Sequence, residues 1–311
     1  MTVERKAIIA NTGDDSLTIV DLRKSYEKET IFLPELLEKD NLKIYLESFY
    51  IGPYDLCHGN SKEMVYTANT YSNTVFKVDI KNKKIVDIAT VGSCPTCIKS
   101  YDGFIYVSNT DSNSISILDE EKFSVVENIP VGEKPWDIQI EQKLQKVFVV
   151  NSNDYSINVI DLKKEKEEEI ILDKNPIRLC LENGLIYILT YVNNGVLNTS
   201  NISILRLDTF ELVKSIDLKG IFNNMIKINE KDTILLTSLD DGHLYILDIK
   251  KDKIIKKLHI GGMPNKIIND GDNILFITNV SKNILSIFNL KNNKVENNIE
   301  VGVEPNGLII I

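Results

Sequence analysis

A short motif returns along the whole length of the chain. Residues 106–119 read YVSNTDSNSISILD, and residues 66–79 and 148–161 read YTANTYSNTVFKVD and FVVNSNDYSINVID. Less regular copies lie at residues 8–21, 186–208, 235–248 and 276–289. A period of about 40 residues with no 3.6-residue periodicity inside the copies indicates repeated β-sheets and excludes helical repeats.

Each copy predicts four short strands. FIYVSN and SISILD are rich in β-branched and aromatic residues, and the polar residues between them are typical of a hairpin turn. A third segment such as SVVENIPV follows, and after it a G-x-x-P sequence, as in Gly132–Pro135. Proline is accepted at the start of a strand but not in its middle, so the fourth strand is expected to begin at the proline.

Seven copies of four strands predict an all-β fold, a seven-bladed β-propeller that forms one domain over residues 1–311. The chain starts with the second strand of a copy, at Ala7–Asn11, and ends with a lone first strand, at Pro305–Ile311. We expect these segments to pair in blade 1, built from about 1–34 and 305–311, because that pairing leaves no free sheet edge.

Two segments interrupt the pattern. Residues 33–49 stand outside the repeat and are expected to form a short helix and a strand, as a tolerated insertion or a partner surface. The charged run 163–169, KKEKEEE, is expected to be a solvated turn between outer strands.

Three copies resemble a known repeat family. The segments Tyr66–Asn69, Tyr106–Asn109 and Phe148–Asn151, together with V-G-x-x-P sequences between copies, resemble the YVTN family of β-propeller repeats. The resemblance covers nearly the whole chain, although blade 5 carries an insertion around Asn193–Asn201 and blade 6 has Ser238 in the Asn place. It implies a seven-bladed propeller but no single activity, because such propellers serve as surface-layer modules, binding proteins and enzyme scaffolds.

Charge and hydropathy exclude some partners. Acidic residues outnumber basic residues 45 to 36, which gives a net charge of -9, and no stripe of Lys and Arg offsets it. We therefore expect no nucleic-acid partner. We also expect a cytoplasmic protein with no membrane span and reduced cysteines, because no apolar run approaches ~20 residues and no signal-peptide pattern opens the chain.

The loops that lead into the innermost strands are expected to surround one mouth of a central channel. The third residue after each proline is apolar and is expected to pack between blades: Leu56, Ile98, Ile138, Leu179, Ile267 and Leu308. The second residue is polar or small and is expected to border water in the channel: Asp55, Cys97, Asp137, Arg178, Lys266 and Gly307. Acids on blades 2 and 4 and bases on blades 5 and 7 would suit a ligand with separated charges, or salt bridges between blades.

Aromatic residues complete the predicted binding site. Tyr54 and Trp136 directly follow their prolines, where a ring can stack on a ligand or pack over the core. The predicted ligand-binding residues at the channel mouth are Tyr54, Asp55, His58, Trp136, Asp137, Arg178 and Lys266.

Cys94 and Cys97 have the C-x-x-C spacing of metal ligands and redox dithiols. His58, on the neighbouring blade, is the candidate further ligand for a divalent metal. No second close pair and no βαβ context accompanies the motif, so packing of small side chains near the axis is the alternative explanation.

These patterns favour a non-enzymatic propeller that binds a protein or a small molecule at the channel mouth, with no resident cofactor. The chain has three histidines and no G-x-S-x-G or H-E-x-x-H motif. Two alternatives stay open: a lactonase-like hydrolase that uses His58, Arg178, Asp55 and Asp137, and a metal or redox protein that uses Cys94 and Cys97. The recurring Asn is expected to be architectural, because a function needed once per blade is structural.

Overall fold

The structure is a computed structural model, and it describes residues 5–23, 25–39, 48, 50–163, 166–193, 198–228 and 232–311. These residues form seven four-stranded antiparallel sheets. The predicted fold class is confirmed: the protein is an all-β, seven-bladed β-propeller.

The strands follow the chain from blade to blade. Blade 1 begins with β1 (Lys6–Asn11), β2 (Ser16–Asp21) and β3 (Lys28–Phe32). Blade 2 contains β4 (Pro53–His58), β5 (Met64–Asn69), β6 (Thr74–Asp79) and β7 (Lys84–Thr90). Blade 3 contains β8 (Pro95–Tyr101), β9 (Phe104–Asn109), β10 (Ser114–Asp119) and β11 (Ser124–Pro130). Blade 4 contains β12 (Pro135–Glu141), β13 (Lys146–Asn151), β14 (Ser156–Asp161) and β15 (Lys166–Ile171).

The remaining blades keep the same order. Blade 5 contains β16 (Asn175–Glu182), β17 (Leu185–Asn193), β18 (Asn198–Arg206) and β19 (Leu212–Lys219). Blade 6 contains β20 (Asn224–Ile228), β21 (Thr233–Ser238), β22 (His243–Asp248) and β23 (Lys253–His259). Blade 7 contains β24 (Pro264–Asn269), β25 (Ile274–Asn279), β26 (Ile284–Asn289) and β27 (Lys294–Glu300).

The last strand, β28 (Pro305–Ile310), completes blade 1. It pairs with β1 in antiparallel register, with Ala7 opposite Ile310 and Ala10 opposite Gly307. The predicted pairing of the two terminal segments is confirmed. Gly307 is small for a local reason: a Cβ there would lie 2.9 Å from the backbone oxygen of Tyr54, so the neighbouring blade leaves no room for a side chain.

The insertion after blade 1 begins with a short helix, α1 (Leu33–Lys39), and a single 3-10 turn spans Thr12–Asp14. Leu33 and Leu37 of α1 are buried in the apolar cluster between blades 1 and 2. The predicted helix is confirmed at these residues, while the predicted strand falls on residues 40–47 and 49, outside the described residues.

Apolar clusters fill the space between blades 1 and 2, 2 and 3, 4 and 5, 5 and 6, and 6 and 7. The third residue after each proline is buried, as predicted: Leu56, Ile98, Ile138, Leu179, Ile267 and Leu308. The alternation of a strand sends this residue towards one neighbouring blade and the residue before it towards the other side. The clusters belong to two compact units, Met1–Pro130 with Thr278–Leu285 and Ile299–Ile311, and Val131–Ile277 with Ser286–Asn298. Each site below lies within one unit.

The charged run is partly strand. Residues from Lys166 onward form the edge strand β15, with Glu167 opposite Ile160 and Glu169 opposite Asn158. The expectation of a turn is wrong for residues 166–169, because an outermost strand with one solvated face accepts charged side chains. No helix in the described part of the chain is long and apolar enough to cross a membrane.

Candidate functional site

The recurring Asn ties together two strands of its blade. In blade 4, Asn151 Nδ2 donates to Ser156 Oγ at 2.9 Å and to Asn158 Oδ1 at 2.6 Å. In blade 3, Asn109 Nδ2 donates to Ser114 Oγ at 3.1 Å and to Ser116 Oγ at 2.9 Å. These Asn residues are buried, and their partners are side chains across the hairpin. Their role is architectural, as expected.

The glycine of G-x-x-P packs against this Asn. A Cβ on Gly132 would lie 2.6 Å from Asn151 Nδ2, and a Cβ on Gly92 would lie 2.6 Å from Asn109 Cγ. The side chains of Asp154 and Ser112 would lie closer still to these Cβ positions. Real Cβ atoms do not approach so closely, so only glycine fits at this place in the two blades. We call this arrangement the Asn corner: the Asn, the Ser or Thr five residues later, and the glycine that leads into the same blade.

Blade 5 lacks the Asn corner. Thr190 stands in the Asn place, and Asp173 stands in the glycine place, three residues before Pro176. The Asn has moved to the next strand, where Asn201 lies directly opposite Thr190. Asn201 Nδ2 donates to Ser215 Oγ at 2.8 Å and to an Asp217 carboxylate oxygen at 2.9 Å. The amide therefore holds β19, the edge strand.

A cleft of about 230 Å³ lies at this altered corner. We call it the blade 5 cleft, and its lining residues are Ile170, Ile171, Leu172, Asp173, Lys174, Thr190, Asn201, Ser203, Leu205, Phe210, Leu212 and Ser215. The strands beside it are longer than usual, since β17 and β18 have 9 residues each where β13 and β14 of blade 4 have 6. The departure from the repeat and the cleft thus occur together.

The inner wall of the cleft is polar. Thr190 is buried, and its Oγ1 has no hydrogen-bond partner among the described residues. Ser203 Oγ donates to Asn201 Oδ1 at 2.8 Å. These hydroxyl and amide groups give the wall hydrogen-bonding capacity beside apolar side chains.

An ion pair stands at the edge of the cleft. Lys174 Nζ lies 2.8 Å from Asp217 Oδ1. The hydrogen bonds from Lys174 and then Asn201 lower the pKa of Asp217 below its ordinary value. The carboxylate of Asp217 is therefore ionised at neutral pH and pairs with Lys174.

The outer rim of the cleft is apolar and exposed. Ile171 on β15 is 69% exposed, and Leu212 on β19 is 63% exposed. Phe210 forms part of the wall and is held by an edge-to-face contact with Phe148, with ring centroids 6.4 Å apart. Lys146 lies over the Phe210 ring at 5.6 Å. The wall is therefore fixed, while the rim faces solvent.

The two predicted acids of the channel mouth are buried. Asp55 Oδ2 accepts a hydrogen bond from the backbone N–H of Ile98 at 3.4 Å, and Asp137 Oδ2 accepts one from Leu179 at 3.1 Å. Each acid thus binds the inner strand of the next blade. The expectation that the second residue after the proline borders water is wrong for these two acids, because their carboxylates are buried and accept hydrogen bonds from the inner strand of the next blade.

The other predicted binding residues are more accessible. Tyr54, Trp136, Arg178 and Lys266 are half-buried, and His58 is exposed. His58 Nδ1 donates to the Gly59 carbonyl oxygen at 2.9 Å. A ligand-binding role at a channel mouth stays a prediction for these residues and for Asp55 and Asp137.

The four cysteines are free thiols. Cys97 is buried, and Cys94 Sγ lies 3.1 Å from Thr70 Oγ1. Among the described residues, no group of three or more His, Cys, Asp or Glu side chains could hold a metal ion. Cys94, Cys97 and His58 therefore do not form a three-ligand centre, and a redox role of the pair stays a prediction.

Sequence reasoning missed the blade 5 cleft. The signal was present as two coincident losses, Asn to Thr190 and Gly to Asp173, in the copy with the insertion. Their joint meaning depends on the contact between glycine and Asn, which only the folded corner reveals.

Comparison with solved structures places the fold among known β-propellers. The chain is similar to hydrazine synthase of Kuenenia stuttgartiensis, with a TM-score of 0.76 and 14% identity over 85% of this chain and 90% of that chain. It is similar to a functionally unknown protein from Desulfotomaculum acetoxidans, with a TM-score of 0.76 and 14% identity over 98% of each chain. It is also similar to a candidate 6-phosphogluconolactonase from Bacteroides fragilis, with a TM-score of 0.74 and 11% identity over 100% of this chain and 98% of that chain.

No family model and no curated protein matches the sequence. The resemblance to YVTN repeats therefore stays a prediction. At identities this low the structural similarities establish a shared fold, and a fold alone does not define an activity. The chain is a seven-bladed β-propeller of the same architecture as these three proteins.

Proposed function

We propose that this protein is a non-enzymatic β-propeller that binds a protein partner at the blade 5 cleft, where the partner inserts one apolar side chain. The observation that carries the proposal is the exposed rim formed by Ile171 and Leu212 beside the cleft. Contiguous exposed apolar surface of this kind is typical of interaction sites, because a partner that covers it removes it from water.

The dimensions favour a side chain over a whole small molecule. The cleft volume of about 230 Å³ is below the roughly 300–1,000 Å³ of pockets that enclose drug-sized ligands. A Leu or Phe side chain can bury its apolar part against Leu205 and Phe210. The hydroxyls of Ser203 and Ser215 are available for polar atoms at the base of that side chain.

The surrounding backbone also suits a protein partner. The cleft lies beside β15 and β19, the outermost strands of blades 4 and 5. Outermost strands carry N–H and C=O groups that no other strand of the sheet pairs, and an extended segment can hydrogen-bond to them. An anchor side chain and an added strand would then reinforce each other.

The chemistry of the cleft supports binding over catalysis. The hydroxyls of Ser203 and Ser215 both hydrogen-bond to Asn201, and an amide is not a base that could activate them. Asp217 is ionised and paired with Lys174. The similarity to a candidate lactonase concerns the fold and gives no support for hydrolysis here.

The test is a selection of binding peptides from a phage library of random sequences, on protein freed of any tag. We expect enriched peptides to share an apolar anchor residue. Their affinity should fall by at least about tenfold in the double variant Ile171→Asp/Leu212→Asp, because two charges would replace the apolar rim.

The matched control is Val126→Asp on β11, an apolar residue that is 53% exposed on the edge strand of blade 3. It should leave peptide affinity unchanged. Peptides that bind the double variant as tightly as the parent protein, or a selection without an apolar anchor, would contradict the proposal. Thermal melts of both variants establish that the fold is retained.

A further inference from the structure

Blade 6 departs from the repeat at a pair of histidines. His243, the first residue of β22, lies directly opposite His259, the last residue of β23. The equivalent cross-strand pairs in blades 1 to 4 are Ser16–Phe32, Thr74–Thr90, Ser114–Pro130 and Ser156–Ile171. The blade architecture therefore forms without imidazoles at this position, and the pair is free to serve another role.

The two rings are close enough to share an ion. Their centroids lie 5.0 Å apart, with the ring planes inclined by 67°. An imidazole nitrogen binds Zn²⁺ at about 2.0–2.1 Å, so two rings on one tetrahedral ion have centroids roughly 5 Å apart. Imidazole is also a preferred ligand of Cu²⁺ and Ni²⁺.

The contact of His243 with the loop determines which nitrogen is available. His243 Nδ1 lies 2.5 Å from the backbone carbonyl oxygen of Asp241 and 3.3 Å from its Oδ1. A carbonyl oxygen can only accept a hydrogen bond, so Nδ1 carries the hydrogen, and Nε2 of the neutral ring keeps its lone pair. A hydrogen bond from the second ring nitrogen to a carbonyl or carboxylate is the usual support of a metal-binding His.

The local charge does not oppose a cation. Asp241 Oδ2 accepts a hydrogen bond from Tyr245 and lies 3.0 Å from Lys257 Nζ, so this ammonium is neutralised by its carboxylate. Asp240, in the same loop, is exposed and adds a negative charge. His259 is exposed, and within the described part of the chain its ring has no hydrogen-bond partner.

We propose that His243 and His259 bind one divalent transition-metal ion through their imidazole nitrogens, with solvent in the remaining coordination positions. This site differs in kind from a three-ligand centre, which the described residues lack. Two protein ligands with open positions give an exchangeable ion that a further ligand or partner group could also contact. The proposal does not depend on the blade 5 cleft, since neither histidine lines that cleft.

The test is calorimetric titration of tag-free protein with Ni²⁺ and with Zn²⁺ at neutral pH. We expect one saturable site on the parent protein. His243→Ala and His259→Ala should each weaken it by at least about tenfold, because each removes half of the chelate. The matched control is His58→Ala, which removes the third histidine of the chain and should leave the affinity unchanged.

A second measurement does not depend on the alanine variants. Substoichiometric Ni²⁺ should broaden the ring proton signals of His243 and His259 in NMR spectra and leave those of His58 sharp. Absence of a saturable site, affinity that both alanine variants retain, or broadening centred on His58 would each overturn the proposal.

Discussion

Blade 4 and blade 5 build the same corner of a propeller blade with different residues. In blade 4, Asn151 fills the corner and Gly132 packs on it. In blade 5, the smaller Thr190 leaves the space open, and Asp173 occupies the glycine place beside a cleft of about 230 Å³. The comparison teaches that the repeated Asn fills the corner in blade 4, and that in blade 5 its absence coincides with a cleft while the four-stranded sheet is kept.

The two substitutions in blade 5 are coupled physically. At Gly132 and Gly92 the Asn side chain lies 2.6 Å from the position of a Cβ, and a second polar side chain, Asp154 or Ser112, lies closer still. Once Thr replaces Asn, that close contact is gone and Asp173 is tolerated. In blade 6 the corner residues also vary together, since Ser238 replaces the Asn and His243 replaces the usual Ser or Thr.

The largest difference in stability between blades 4 and 5 is expected from substitutions at the glycine position, three residues before the proline. Gly132→Ala should destabilise the protein by about 2 kcal/mol, because the new methyl overlaps the side chains of Asp154 and Asn151 and forces the corner apart. The matched variant in blade 5, Asp173→Ala, should change stability by less than about 0.5 kcal/mol. Urea denaturation of both variants measures the difference. Equal costs at the two positions would show that the glycine is not specific to the Asn corner.

A smaller effect is expected from restoring the regular corner in blade 5. Asn201→Thr alone should cost roughly 1–2 kcal/mol, because it removes the hydrogen bonds to Ser215 and Asp217. The double variant Thr190→Asn/Asn201→Thr should recover about 1 kcal/mol of this loss. It should also weaken binding of the selected peptides, since the longer amide side chain introduced in place of Thr190 would fill the cleft.

Thermal or urea denaturation of the two single variants and the double variant gives the coupling between the positions. Additive costs with unchanged peptide binding would contradict the view that Thr190 keeps the cleft open.

The smallest effect concerns stability at alkaline pH. It arises from a Cys–Tyr pair that occurs at equivalent inner positions of blades 2 and 5. Cys180 of blade 5 lies opposite Tyr187, as Cys57 of blade 2 lies opposite Tyr66. Burial raises the pKa of the Cys180 thiol from 9.0 to about 12. Burial also raises the pKa of Cys57.

The unfolded chain therefore releases these protons at lower pH than the folded chain. The free energy of unfolding should fall as the pH rises from 9.0 towards 12, by about 1 kcal/mol per thiol over the first unit. Cys180→Ala should flatten this decline in a series of urea denaturations at increasing pH, and Cys57→Ala should do the same. A decline as steep in Cys180→Ala as in the parent protein would contradict the burial of this thiol.

The fold could be predicted because its determinants are local and repeated. Each copy carries its own alternation, turn residues and strand-starting proline, so an error in one copy is corrected by the others. The pairing of the first strand with the last followed from counting strands in the first and last copies, whereas its register, with Ala7 opposite Ile310, came from the structure. The strand of residues 166–169 was missed because an edge strand with charged side chains has the composition of a turn.

The candidate site could not be predicted in the same way. The position of Asp55 in the repeat predicted an acid that faces the channel. In the structure its carboxylate accepts a hydrogen bond from the backbone amide of Ile98, 43 residues along the chain. The cleft likewise requires Ile171 of blade 4 to meet Thr190 and Asn201 of blade 5, and no single copy of the motif specifies that meeting.

The sequence alone determined the number of blades, the strand pattern and the buried apolar row, because hydrophobic alternation with period two acts within each segment. Tertiary structure alone decided which polar groups form hydrogen bonds within the protein and which remain open to a ligand. Hydrogen bonds and close packing depend on atoms brought within a few ångströms from distant parts of the chain. For that reason the Asn corners are closed, the blade 5 cleft is open, and His243 faces His259.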